Sequence, residues 1–486
     1  MTGALQERPR VHHPLLGLPV APVVAVALVV TSGAAAAAVD GLPDPGVLVR
    51  WGLPAVKAVR DVAAAATVGL LVVAAALLPG LPGRTPMVTT IQRHSLRLAA
   101  HLGAVWTLAG LLLLLLSYAD LAGLPVTAVE VLAGVASFAV DFELGRALAL
   151  STGLSAAAAL VAALSWRLTA AGLSAVLAVL ALLPLAWTGH AAGTAGHGTA
   201  VDAQAFHLVG VSVWLGGLIA LALIRHRANT DRLFPTLLRR YSTLAGWCFG
   251  IVAVSGVVAT TVRLSTWSDL VTTAYGQLLL AKVAALILLG GAGWAHRRQL
   301  LRHLDRPYPI RVFARLAGGE LAVMAVATGV AVALSRTAPP PPPGGDAAVT
   351  TAEALLGYPM PPPLTLTTIF TGWRIDPLWL AATIVGTLWY LRGVWRLRRR
   401  GDRWPWPRTL SFVTGMVLLA LATNGSPGVY GQVLFSMHMV QHMTVATAVP
   451  VFLALGAPVT LALRTLPRRT DHSRGPREWL LAVVHS

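Results

Sequence analysis

Cysteine is almost absent from this chain, and charged residues are scarce. Its 486 residues include one cysteine, Cys248, so an internal disulfide and CxxC thiol chemistry are excluded. Charged residues make up 12% of the chain, whereas hydrophobic residues make up 56% and the mean hydropathy is +0.70. This composition excludes a water-soluble globule and predicts a polytopic protein embedded in the lipid bilayer.

Motifs of common enzyme classes are also missing. The sequence has no Walker motif, Gly-rich nucleotide loop, aspartyl-phosphate motif, nucleophile elbow or HExxH pattern. ATP-driven pumping and hydrolysis are therefore not indicated, and we expect no enzyme activity. The net charge of +18 does not indicate nucleic acid as a partner, because the arginines form short clusters between apolar runs. Such clusters are typical of loops that orient membrane spans.

Apolar runs of about twenty residues predict an all-α, polytopic transmembrane helical bundle with about 12 to 13 spans in two membrane modules. The weaker segment 121–140 is predicted to be re-entrant or interfacial. The predicted spans are 16–39, 61–79, 98–118, 146–165, 168–187, 204–224, 241–262, 276–295, 315–334, 374–391, 409–423 and 433–463, with a further one beginning near Trp479.

Basic residues are concentrated in alternate loops, as expected if the spans are placed correctly. With Arg8 and Arg10 in the cytoplasm, the basic loops are cytoplasmic and the acidic ones lie outside. The sequence therefore predicts a multi-pass protein of the plasma (inner) membrane with a cytoplasmic N-terminus.

A proline-rich segment divides the chain. Residues 336–372 contain Pro339 to Pro343 and Pro361 to Pro363, which favour extended chain over packed structure. We predict an outer linker at 336–372 between one membrane module at 1–335 and a second at 373–486.

The segment 437–443 combines imidazole and thioether groups. On a helix, His438 and His442 stand one turn apart on one face, and Met439 and Met443 lie on an adjoining flank. Thioether sulfur favours Cu(I), and imidazole accepts either oxidation state of copper. The alternative is that methionines fill gaps between helices and histidines make polar contacts. We predict a copper site, with Cu(I) favoured, whose ligands are His438, His442, Met437, Met439 and Met443.

A second group of histidines belongs to the first module. His190 lies in a loop without lysine or arginine, and His207 opens the sixth predicted span. Counting residues from the basic ends of the spans places both histidine groups near the outer boundary. We predict that His190 and His207 form a copper entry site. The alternative is that they are interfacial histidines with water as partner.

Two charged residues fall inside predicted spans, Lys282 in the eighth and Glu320 in the ninth. Charges within the membrane are candidates for function. The structural alternative is that Lys282 extends to the outer surface and Glu320 meets cytoplasmic arginines.

At these residues the sequence resembles two known families. The first resemblance is to the copper resistance protein D (CopD) family and covers about 145–335. It rests on Thr188-Gly189-His190, Phe206-His207-Leu208, Val213-Trp214-Leu215-Gly216-Gly217 and Tyr275-Gly276-Gln277 with Lys282. This resemblance implies copper passage or acquisition in the first module.

The second resemblance is to the start of the CtaG family of cytochrome c oxidase assembly factors. It rests on Asp376-Pro377-Leu378, Tyr390-Leu391-Arg392-Gly393, 436–443 and 455–460. This resemblance implies delivery of copper toward the oxidase copper centre. Because the family continues with several more helices, we expect the second module to be truncated at Ser486.

Together the resemblances imply copper uptake or transport and copper delivery to cytochrome c oxidase during its assembly. The implied partners are the copper ion and an oxidase subunit or periplasmic copper chaperone. Two other classes stay open, a b-type haem-binding membrane redox protein and a structural oxidase scaffold. A haem protein would want paired histidines deep in opposed helices. The histidines here are predicted at the membrane surface beside methionines.

Overall fold

The structure, a computed structural model, describes residues 14–32, 44–81, 87–187, 197–230, 232–264, 266–302, 310–340 and 350–485. These residues are 81% helical and contain no strand. Eleven helices within them are long and apolar enough to cross a membrane. The predicted all-α polytopic helical bundle is therefore confirmed, and the chain is a multi-pass membrane protein.

The described residues fold into α-helices joined by turns and loops. Up to residue 340 they are α1 (Val20–Thr31), α2 (Val47–Val72), α3 (Thr90–Ala122), α4 (Val129–Asp141), α5 (Glu143–Leu164), α6 (Leu168–Leu180), α7 (His197–Thr230), α8 (Phe234–Arg263), α9 (Asp269–Thr272), α10 (Ala274–Arg302) and α11 (Ile310–Leu334). The rest are α12 (Thr351–Leu356), α13 (Leu366–Thr371), α14 (Pro377–Arg399), α15 (Trp406–Asn424), α16 (Ser426–Tyr430), α17 (Phe435–Met443), α18 (Val449–Leu455), α19 (Pro458–Thr465) and α20 (Pro476–Val484).

Two predicted spans are not among the eleven. Helix α14 has 23 residues, enough to span, but it carries three arginines in its last turn. Helix α20, near the predicted start at Trp479, has nine residues. The weak segment 121–140 largely becomes α4, whose 13 residues are too few to cross the hydrocarbon core.

The chain folds into two compact units. The first contains Met1–His190, Ala205–Val254 and Arg263–Pro343, and the second contains Ala191–Gln204, Ser255–Val262 and Gly344–Ser486. The second unit thus includes the start of α7 and part of the last two turns of α8.

Helices α2 and α7 are the most buried of the eleven candidate spans. In their most apolar stretch of 18 residues, 78% of the residues of α2 and 72% of those of α7 are buried. In the first unit they meet through glycines. A Cβ added at Gly216 of α7 would overlap the backbone carbonyl of Ala65 in α2, and one added at Gly69 would overlap the backbone of Gly216. Small residues at such a crossing let two membrane helices approach backbone to backbone.

The second unit is centred on Tyr390 of α14. Its ring stacks on Phe412 of α15 with 3.9 Å between centroids. Its hydroxyl donates to the carbonyl of Gly456 at 2.7 Å and accepts from the indole N–H of Trp404 at 3.2 Å. The buried hydroxyl therefore has partners on both sides, as burial of a polar group requires.

Residues 350–372 of the predicted linker pack within the second unit. Within 350–372 the chain forms α12 and α13. The hydroxyl of Tyr358 donates to the carbonyl of Val429 at 2.6 Å, and that of Tyr430 donates to the carbonyl of Pro362 at 2.9 Å. These bonds fix the proline-rich stretch beside α16.

Candidate metal centre

Helix α17 carries the predicted copper ligands of the second unit. It runs from Phe435 to Met443 and continues through a π-helical turn, Thr444–Ala448, into α18. Pro450, early in α18, has no N–H to donate to the preceding turn, and the π turn accommodates this loss. The candidate span begins at Phe435, so both histidines lie in its first two turns.

The two imidazoles of α17 lie side by side. The rings of His438 and His442 are 6.2 Å apart between centroids and 10° from parallel. The ring of Phe435 lies 6.5 Å from that of His438, one turn earlier. Both histidines are exposed, as are the thioethers of Met439 (38%) and Met443 (48%). Two nitrogens and two sulfurs are therefore presented on one accessible side of the helix, which we call the His/Met face.

Met437 does not share this face. It precedes Gln441 by four residues and so lies on the same flank as that amide. The Gln441 amide nitrogen donates to the carbonyl of Ala422 in α15 at 3.0 Å, and Met437 is half-buried. The structure therefore places His438, His442, Met439 and Met443 on exposed parts of α17 and Met437 on its half-buried flank.

This difference gives a prediction for Cu(I) binding. Met439→Leu should weaken Cu(I) affinity about tenfold or more, because it removes a soft ligand from the exposed face. Met437→Leu, the same substitution on the buried flank, is the matched control and should leave the affinity unchanged. Competition with a Cu(I) chelator measures both, and equal affinities of the two variants would contradict the assignment.

The supports of α17 are residues that the sequence did not single out. Asn424, at the end of α15, is buried, and its side-chain oxygen accepts from the backbone N–H of Asp376 at 2.7 Å. Asp376 caps α14 by accepting from the backbone N–H groups of Leu378 and Trp379. These bonds join the end of α15 to the start of α14, and the bond from Gln441 joins α17 to α15.

The capping carboxylate also holds the start of α7. The hydroxyl of Thr199 donates to Asp376 at 2.8 Å, and both residues belong to the second unit. Asp202, one turn after Thr199, carries a like charge that repels the same carboxylate. The Thr199 hydrogen bond therefore ties the first turn of α7 to the start of α14 within the second unit.

His207 itself lies in the first unit. Its half-buried imidazole hydrogen-bonds the backbone of Val252 in α8. A backbone bond of this kind fixes the ring and its tautomer, as it does for many metal-ligating histidines. Lys282 and Arg263 act on the same imidazole. Their positive charges oppose a copper ion at His207, in contrast to the His/Met face.

His190, the other predicted ligand of the entry site, lies outside the described residues. Glu320 pairs with His296 of α10, the Nδ1 to Oε1 distance being 2.7 Å, so its observed partner is a histidine rather than an arginine. Within the described ranges, no three His, Cys, Asp or Glu side chains come together as metal ligands. The other metal-binding side chains that α17 carries beside its two imidazoles are the thioethers of its methionines.

Comparisons with known families match three regions of the chain. Residues 44–201 match the copper resistance protein D-like N-terminal domain, and residues 235–334 match copper resistance protein D. Residues 388–486 match the cytochrome c oxidase caa3 assembly factor family, Caa3_CtaG. The chain therefore joins a CopD-like region to a CtaG-like region, and the His/Met face lies within the latter.

Relatives with curated descriptions agree with this division. An uncharacterized protein of Mycobacterium bovis is 40% identical over 171 residues, which are 35% of this chain and 25% of the relative. Copper transport protein CutJ of Bacillus subtilis is 32% identical over 118 residues, 24% of this chain and 22% of the relative. Copper resistance protein D of Pseudomonas syringae pv. tomato is 31% identical over 201 residues, 39% of this chain and 64% of the relative. The match to the mycobacterial protein thus spans a quarter of that protein's length. No solved structure matches the chain.

Proposed function

We propose that this chain, a CopD-like module joined to a CtaG-like module, handles copper at a bacterial plasma membrane. In this proposal the first module acquires copper at the outer side. The second module presents it on the His/Met face for delivery to cytochrome c oxidase during assembly of the enzyme. The partner that receives the ion is an oxidase subunit or a periplasmic copper chaperone.

The observation that carries the proposal is the composition of the His/Met face, with its two imidazoles side by side one turn apart. Two imidazoles and two thioethers form a soft donor set suited to Cu(I), whereas zinc, calcium and magnesium prefer other ligands. The position of the face in the first two turns of a candidate span supports placement near a membrane boundary.

The first module supports a complementary role. The charge pattern of the loops favours an outer location for the start of α7, and His207 lies in its first third. The bond to Val252 holds the imidazole in one orientation. Because Lys282 and Arg263 oppose a cation there, we propose transient passage of copper past His207 rather than storage.

A substitution in the first module tests acquisition. Cells expressing His207→Ala should accumulate less copper than cells expressing the wild type, approaching the level of cells that lack the protein. If copper flows outward, the same cells should instead tolerate less copper. His101→Ala, which removes an exposed histidine of α3, is the control. Unchanged copper content and unchanged tolerance in His207→Ala would remove this residue from the copper path.

A further inference from the structure

A basic pocket of about 310 Å³ lies in the first unit, where the start of α3 and the end of α7 meet the connection between α5 and α6. Arg93, His94 and Arg97 line it from α3, Arg227 from α7, and Trp166 from the connection. We call it the α3 pocket. No acidic residue is among the described residues that line it, and the charged side chains there are all basic.

One of these arginines builds the wall. The two terminal nitrogens of Arg93 donate to the carbonyls of Ser165 at 2.6 Å and Ala163 at 2.8 Å. Its guanidinium carbon lies 4.4 Å from the ring centroid of Trp166. Arg93 therefore satisfies the last carbonyls of α5 and fixes the tryptophan, and it supplies the pocket with a rigid side.

Arg97 and Arg227, the other two arginines of the pocket, do not bind backbone carbonyls as Arg93 does. Within the part of the chain that the structure describes, the side chains of Arg97 and Arg227 form no hydrogen bond or ion pair. Both act on His94 as like charges. Among the described residues these positive groups have no counter-charge at the cavity, so they repel one another, and a bound anion would turn this repulsion into attraction.

The end of α3 adds to the positive potential. Thr89 caps the helix through its side chain, and the pocket includes Thr90, the first helical residue. The start of a 33-residue helix carries partial positive charge from its unpaired N–H groups. The helix start and the arginine side chains are two separate sources of positive charge. Both favour an anionic ligand.

The surroundings indicate which anion reaches the pocket. Trp166 is 57% exposed, and exposed tryptophans at the ends of spans mark the level of lipid headgroups. Basic pockets between membrane helices at this level suit headgroup phosphates, which arginine binds with two parallel hydrogen bonds. We propose that the α3 pocket binds a phosphate group, supplied by an anionic phospholipid headgroup, with Arg97 and Arg227 as the phosphate ligands.

The test measures lipid binding to the full 486-residue chain. Phosphatidylglycerol is titrated into detergent-solubilised protein, and bound lipid is counted by native mass spectrometry, with phosphatidylcholine as the neutral comparison. Arg97→Ala/Arg227→Ala should weaken phosphatidylglycerol binding on the order of tenfold or more, because it removes both side chains that would hydrogen-bond the headgroup phosphate. Arg239→Ala/Arg315→Ala removes the same charge from exposed arginines outside the pocket and should bind like the wild type.

Two further measurements distinguish a lipid phosphate from free phosphate and keep the test valid if the alanine variant does not fold. Inorganic phosphate should compete only weakly with phosphatidylglycerol. Complete competition at millimolar concentration would make the free ion the ligand and overturn the lipid assignment. Arg97→Lys/Arg227→Lys preserves charge but not the paired geometry, and it should show intermediate affinity even if the alanine variant does not fold. Equal weakening by the pocket variant and the surface variant would also overturn the proposal.

Discussion

The double variant His438→Ala/His442→Ala should lose most of its Cu(I) affinity, on the order of 100-fold or more. The reason is that removing one supporting partner of a metal ligand already costs about 10-fold to 100-fold in affinity, and this variant removes two ligands. Only thioethers would then remain on the His/Met face. Titration of Cu(I) against a competing chelator measures the change.

His101→Ala/His485→Ala removes two exposed histidines that lie elsewhere and is the matched control. It should retain the wild-type affinity. If the two double variants bind Cu(I) equally well, α17 does not hold the copper site, whatever the affinity of the wild type.

The substitution Gly216→Ala should destabilise the protein by about 3 kcal/mol or prevent its accumulation in the membrane. A methyl group at this position would overlap the Ala65 carbonyl, so α2 and α7 would have to separate. These two helices hold the most buried spans, and the loss of contact would spread through the first unit. The effect is measured by heating the detergent-solubilised protein and finding the temperature at which half of its monodisperse size-exclusion peak is lost.

Gly250→Ala in α8 is its control, because a methyl group there meets no atom within 4 Å. Alanine also has the higher helix propensity, so this variant should be as stable as the wild type or slightly more stable. Similar midpoint temperatures for both variants would show that α2 and α7 do not pack through their glycines as described.

Much of the fold could be predicted from hydropathy, because each span must bury its own backbone polar groups in a helix. The run 433–463 shows the limit of that reasoning. It was predicted as one long span, but the chain breaks at Ala457, which adopts a left-handed conformation (φ 49°) before Pro458. Hydropathy does not reveal such a break, whereas the neighbouring Gly456 and Pro458 favour one.

Some of the motif residues that carry the family resemblances pack the helices together, and others are candidate copper ligands. Gly216 and Gly217 in the first module contact α2 and the ring of Tyr241, and Tyr390 in the second joins α14 to Gly456. These residues support the fold rather than copper. The pairing of His438 with His442 followed from helix periodicity alone and is present in the structure.

Contacts between residues far apart in sequence could not be predicted. The bond from Gln441 to Ala422 and the bond from His207 to Val252 each depend on how two helices pack. The α3 pocket was missed for the same reason, because Arg97 and Arg227 meet only after α3 and α7 are assembled. Read singly, each arginine indicates only membrane orientation.

Metal analysis of the purified wild-type protein, combined with its visible absorption spectrum, tests the central claim most directly. We expect bound copper after exposure to Cu(I) and no Soret band, since the His/Met face offers soft ligands at an exposed helix start. A Soret band without copper would contradict the account and favour the b-type haem redox protein. Absence of both copper and haem would also contradict it and would favour a structural scaffold.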